Sequence, residues 1–131
     1  MAKVVVALGG SLLRPEVKDR HNWLVDLVSI LRDRVSLGDK IALVVGGGAP
    51  AREGIELAKP IIGDISHLDR IGIAATRLNA TIVREALSEE GIEVSGKIPE
   101  SVEEAASELG YFDVVVMGGT AVSYTHLRAH E

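Results

Sequence analysis

Val44-Val45-Gly46-Gly47-Gly48-Ala49-Pro50-Ala51-Arg52 sets three consecutive glycines between the apolar run Ile41 to Val45 and the helix-like stretch Ala51 to Ala58. That order reads as strand, bare turn, helix. A backbone without Cβ atoms can take φ > 0 and come close to a ligand, while the free N–H groups and positive end of the following helix face an anion such as phosphate. Arg52, one turn into the helix, can add a forked, charge-assisted contact to the same anion. A glycine turn can also serve chain reversal alone, and a lone triple glycine does not decide between the two. Two more clusters bear on the choice: Gly9-Gly10-Ser11 follows the apolar run Lys3 to Leu8, and Gly118-Gly119-Thr120 follows Val114 to Met117. Open parallel sheets bind ligands beyond the carboxyl ends of their strands, and all three clusters would gather there.

Working outward, Lys3 to Leu8 is a short continuous apolar run, as expected of a strand buried on both faces. Asp19 to Leu37 carries Trp23, Leu27, Leu31 and Val35 in a helical stripe closed by Gly38. A helix between two apolar strands predicts a parallel βαβ unit. After the triple glycine, a short helix runs to about Lys59 and stops at Pro60. A longer helix spans about Ser66 to Glu90, with Leu68, Ile71, Ala75, Leu78, Ile82 and Ala86 as its apolar stripe, and Gly91 ends it. Ile92 to Val94 reads as a brief strand, Val102 to Leu109 as a small acidic helix, and Phe112 to Met117 as another buried strand. The pattern predicts an α/β fold, a three-layer α/β/α sandwich with a mainly parallel sheet.

The chain has 131 residues, 47% of them hydrophobic, enough for one domain with a core. Aromatics at 3% leave that core to Val, Ile, Leu and Ala. A net charge of −5 argues against a general nucleic-acid surface but not against a local pocket for phosphate. No cysteine is present, which excludes disulfides and thiolate metal sites. No stretch approaches the roughly 20 apolar residues of a membrane span, and the first residues do not read as a signal peptide. The expectation is a cytoplasmic protein with no membrane and no nucleic-acid partner.

The segment Val122 to Glu131, VSYTHLRAHE, breaks with this pattern: it has no period and stands where a helix should follow a strand and turn. His126 and His130 have the spacing of a helical metal pair. A plainer account is that these residues are encoded by a transposase-type sequencing adapter, so that residues 1–120 are the native part, truncated, and 121–131 a non-native tail.

With the glycine clusters and the long helix in view, the chain resembles the amino acid kinase superfamily and, within it, archaeal-type uridylate (UMP) kinases. The resemblance rests on ALGGSLL, VVGGGAPAR, LDRIGIAATRLNA (Leu68 to Ala80) and VVVMGGT. Asp69, Gly72, Ala75, Thr76, Asn79 and Ala80 carry its most specific part. The resemblance implies Mg²⁺-ATP-dependent conversion of UMP to UDP, with this chain as the half that holds the nucleoside monophosphate and the half holding most of ATP missing. It implies that Gly10 and Ser11 face the transferring phosphates of ATP, Gly47 contacts UMP, and Gly48 with Arg52 lies at the phosphates between the nucleotides. Asp69 would hydrogen-bond the ribose of UMP, and Gly118, Gly119 and Thr120 would begin a further UMP segment. No residue is expected to bind a metal directly. A homo-oligomer, a hexamer in the family, is also implied.

Each residue has a plainer reading too. Asp69 near a helix start can be a cap or a solvated acid, Arg52 can be surface, and Arg77 and Asn79 can satisfy helix-end or inter-helix hydrogen bonds. Many superfamily kinases carry lysine two residues before the first glycine pair, where this chain has Ala7. Kinases of isopentenyl phosphate and acetylglutamate usually show histidine where Val45 stands, which argues against both. A kinase of carbamate or of another acylated amino acid would share the fold, as would a nucleotide-binding protein without turnover.

Overall fold

The structure, a computed structural model, describes residues 3–8 and 20–119. In chain order the elements are β1 (Lys3–Leu8), α1 (Arg20–Ser36), β2 (Lys40–Val45), α2 (Gly48–Ala58), α3 (Ile65–Glu89), α4 (Val102–Glu108) and β3 (Val114–Gly118). Among the described residues the sheet has the order β1-β2-β3. Both pairings are parallel: Leu8 lies opposite Val45, and Val45 opposite Gly118. The carboxyl ends of all three strands therefore lie side by side at one edge of the sheet.

Alternation along β2 explains the layers. Ile41, Leu43 and Val45 point to one face, where they are buried with Val114 and Val116 of β3, Leu27, Val28 and Leu31 of α1, and Ala80, Val83 and Leu87 of α3. Val44 points to the other face, with Val115, Met117, Ala105 of α4 and Leu109 just after it. Helices thus cover both faces, and each fully buried Leu or Val contributes about 1.5–3 kcal/mol.

The helix boundaries follow local chemistry. Gly38 (φ 91°) and Gly91 (φ 80°) take the left-handed conformation after α1 and α3, as helix-ending glycines do. The Asp64 carboxylate accepts from the Ser66 N–H at 2.9 Å and from its hydroxyl at 2.8 Å, capping α3. Ser101 caps α4 by accepting from Glu104 N–H at 3.1 Å. Arg32 of α1 reaches the end of α3, donating to the Glu90 carbonyl at 2.7 Å.

Three expectations are corrected. β1 is not buried on both faces: Val5 remains 74% exposed, and among the described residues only β2 pairs with this strand. Ile92 to Val94 forms no strand: only Val94 makes an isolated parallel bridge to Val114, and the backbone then leaves the ladder. Ser95 explains the departure, being fully buried with its hydroxyl donating to Glu108 at 2.5 Å and accepting from Lys97 N–H at 3.2 Å. The buried stripe of α3 is also rotated from the one expected. Thr76, Asn79, Ala80, Val83 and Leu87 are buried, whereas Leu78 and Ile82 are exposed. Apolar residues ring much of this helix, so two stripes fit its periodicity, and the one facing the sheet contains two polar residues that a hydrophobic count passes over.

Candidate functional site

The triple glycine forms a shorter turn than its sequence implies. α2 begins at Gly48 itself, leaving Gly46 and Gly47 to reverse the chain between Val45 and the helix. Gly46 N–H donates to the Leu8 carbonyl at 3.1 Å, which extends the β1–β2 ladder one step beyond the strand and ties the turn to the end of β1. Gly48 and Ala49 open the helix, where N–H groups have no partner one turn back, and Pro50 has no N–H to leave unmatched.

Gly47 and Gly48 are glycines for different reasons. Gly48 has φ 54°, in the region that side-chain-bearing residues avoid. Gly47 has an ordinary helical φ of −78°, but a Cβ there would sit 2.7 Å from Ala51 Cβ and 3.2 Å from Thr76 Cγ2. Thr76 presents that methyl because its hydroxyl donates back to the Ile73 carbonyl at 2.8 Å. The same close approach continues along α2: a Cβ on Gly54 would lie 3.0 Å from Ile71 of α3.

Asn79 closes the turn from below. It is 1% exposed, and its side-chain Nδ2 donates to the carbonyls of both Gly46, at 2.9 Å, and Gly47, at 3.1 Å. Arg77 donates to the Ile98 carbonyl at 3.3 Å and so holds the loop before α4, rather than a helix end or a second helix.

The second and third glycine clusters come together. Gly118 pairs with Val45, and a Cβ on Gly119 would lie 3.5 Å from the Val45 carbonyl oxygen and 3.7 Å from Gly46 Cα. Gly10, Ser11 and Thr120 lie outside the described residues, as does the tail 121–131. Arg52 is exposed on α2. Asp69 is exposed on α3, seven residues before Thr76 and thus on the same helical face, about 10 Å nearer the helix start. α3 runs past the glycine turn, so Asp69 stands beyond the carboxyl ends of the strands.

Two sizeable clefts, between α1 and α3 and between β1 and α1, include none of these glycines. The glycine turn stands at the edge of the sheet where the carboxyl ends of the strands lie. Among the described residues no group of three or more His, Cys, Asp or Glu is placed to hold a metal ion. No helix of the described residues is long and apolar enough to cross a membrane.

Sequence reasoning sets Asn79 aside and misses what Thr76 does. The available signal is position: both fall on the face of α3 that carries Ala80, Val83 and Leu87, and a buried amide there must have a hydrogen-bond partner.

Comparison with known proteins agrees with this architecture. The chain is 37% identical over 123 residues to uridylate kinase of Methanocaldococcus jannaschii, covering 94% of this chain and 53% of the relative. It is 36% identical over 117 residues to uridylate kinase of Haloquadratum walsbyi, covering 89% of this chain and 46% of that relative. The crystal structure of uridylate kinase from Archaeoglobus fulgidus superposes with a TM-score of 0.73 at 35% identity, over 88% of this chain and 50% of that one. The chain spans about half the length of the curated relatives it matches. Since the profile described as the amino acid kinase family also matches residues 2–119, nearly all of the described fold, this chain belongs to the amino acid kinase family.

Proposed function

We propose that this chain is the nucleoside-monophosphate-binding half of a kinase that uses Mg²⁺-ATP to phosphorylate UMP to UDP in pyrimidine nucleotide biosynthesis. The observation that carries this reading is the turn Gly46–Gly48 opening α2, bonded to the end of β1, set against Gly119 and held from beneath by Asn79. Transfer of a phosphoryl group needs positioning and charge stabilisation more than covalent help from the protein. Backbone N–H groups at the start of α2 bind the phosphates, and Arg52 on the next turn neutralises charge that builds up between donor and acceptor. Asp69, farther along α3, accepts a hydrogen bond from the ribose. Mg²⁺ carried on the ATP phosphates supplies further charge neutralisation when bound.

The similarity of Leu68 to Ala80 to uridylate kinases, together with the archaeal relatives, supports UMP over other acceptors. In this reading the active protein works in the cytoplasm as a homo-oligomer, and residues 121–131 are a non-native extension. A coupled assay on the chain extended to the length of its relatives should give UDP formation from UMP well above the rates with CMP or AMP. Equal rates on isopentenyl phosphate or acetylglutamate would reject the assignment. Binding of nucleotides without turnover would favour a non-catalytic protein on the same fold.

A further inference from the structure

We infer that Asn79 is a positioning residue for the phosphate cradle: its buried amide decides which atoms of the glycine turn face the ligand. The inference rests on the turn being a phosphate site, as proposed above, but the argument for the orientation is independent of it. In a trans peptide the C=O of one residue and the N–H of the next point in opposite directions across the same plane. The described chain contains no cis peptide. The Gly46 carbonyl is turned to Asn79 Nδ2, so the Gly47 N–H points away from it. The Gly47 carbonyl accepts from the same nitrogen at 3.1 Å and from Ala51 N–H of α2 at 3.4 Å, so the Gly48 N–H also points away from Asn79. Asn79 lies in the interior, 1% exposed, so the two N–H groups face away from the buried side of the turn. One NH₂ group, donating to both carbonyls and joined at Gly47 by the Ala51 N–H, therefore holds two successive N–H groups on the side away from Asn79.

Such a clamp is needed here because glycine peptides rotate at little steric cost, and a run of three could present carbonyl oxygens to the ligand side as readily as N–H groups. Carbonyls facing a phosphate would repel it. Thr76 assists from the same helix face by leaving no room for a Cβ at Gly47. Residues that touch phosphate need not include Asn79 at all, which acts through the turn.

The test uses this 131-residue chain. Asn79→Leu keeps the approximate volume and removes the donor. Val83→Ala, one turn farther along α3 at a site with no exposure, controls for loss of stability alone. NMR follows the Gly47 and Gly48 amide signals together with UMP titration at a temperature where all variants are folded. Asn79→Leu should shift both glycine amides and weaken UMP binding by at least about tenfold, the equivalent of one lost hydrogen bond. Val83→Ala should lower the thermal midpoint and leave UMP affinity within about twofold, since the site is not touched. Unmoved glycine signals with unchanged affinity in Asn79→Leu, or an equal loss of affinity in Val83→Ala, would overturn the inference. Should Asn79→Leu not fold, Asn79→Ser is read in its place: its single hydroxyl can serve one carbonyl, so shifted glycine signals and weaker binding are again expected, and unchanged values count against the clamp. If the unsubstituted chain binds no UMP, the reading of the site fails, while the Gly47 and Gly48 signals still decide whether Asn79 orients the turn.

Discussion

Asn79 Nδ2 and the Gly46 carbonyl oxygen stand 2.9 Å apart, joining the middle of α3 to the exit of β2 across 33 residues of sequence. The bond places a polar group inside the apolar layer under the sheet, and both ends of it are satisfied, which removes the cost of burial. It also means that the turn and α3 form one unit, so changes in either reach the candidate site.

The neighbouring glycines respond differently to substitution. Gly48→Ala places a side chain at φ 54° and should cost about 1–2 kcal/mol, while Gly48→Asn costs less because asparagine tolerates this region. Gly47→Ala meets Ala51 and Thr76 instead, and overpacking of that kind costs about 1–3 kcal/mol. Thr76→Ser, which removes the contacting methyl, should recover part of the Gly47→Ala loss and none of the Gly48→Ala loss. Denaturant unfolding of the four variants and the two double variants checks the pattern.

Arg52→Ala in the chain extended to the length of its relatives should depress turnover on UMP far more than it disturbs folding. Arginines placed at transferring phosphates contribute on the order of 10³-fold or more. Solvent-facing helix substitutions change stability by under about 0.5 kcal/mol. Measuring kcat and the thermal midpoint together tests this, and an unchanged kcat would return Arg52 to the ordinary surface.

Asp69→Asn should weaken UMP binding by about tenfold or more, as expected for loss of a hydrogen bond to a charged acceptor. The residue is exposed, and stability should be nearly unaffected. Titration with 2′-deoxy-UMP distinguishes a ribose contact at that hydroxyl from a general effect: an Asp69 bound there makes the variant and the parent equally weak for the deoxynucleotide.

Stability should fall in acid partly through the start of α3. The hydrogen bond from the Ser66 hydroxyl, and then that from the Ser66 N–H, hold the Asp64 carboxyl below the usual aspartate range. A folded-state value below the unfolded one means that the contribution is full above the ordinary aspartate pKa and is lost as pH falls through the lower folded value. Asp64→Asn keeps an acceptor for the cap and removes the titration. Thermal midpoints between neutral and strongly acidic pH should therefore decline less steeply for Asp64→Asn than for the parent.

Much of the fold is legible in the sequence because its signals are local. β1 and the buried runs of β2 and β3 are short apolar stretches followed by glycine, and Gly38 and Gly91 end helices where a left-handed residue is needed. The glycine clusters point to a site at the carboxyl ends of the strands. The structure brings Gly46–Gly48 beside Gly119 and adds the end of β1 through Leu8. What stays hidden is long-range. The segment 92–94 has strand-like residues, but Ser95 finds its partner on Glu108, and the ladder stops. The phase of α3 escapes a hydrophobic count because its sheet-facing side carries Thr76 and Asn79, whose usefulness shows only when the turn they meet is in place.

α3 also acts as a ruler. Asp69, Thr76 and Asn79 ride on one continuous 25-residue helix, so their mutual distances are set by the helical rise and not by flexible loops. Inserting or deleting a single residue between Asp69 and Thr76 would swing Asp69 by about 100° around the helix axis and shift it by about 1.5 Å, while Asn79 stayed clamped to the turn. Under the proposed function, an insertion would be tolerated in the connections on either side of the helix and not between these residues, and the ten-residue spacing from Asp69 to Asn79 would be a dimension of the nucleotide site.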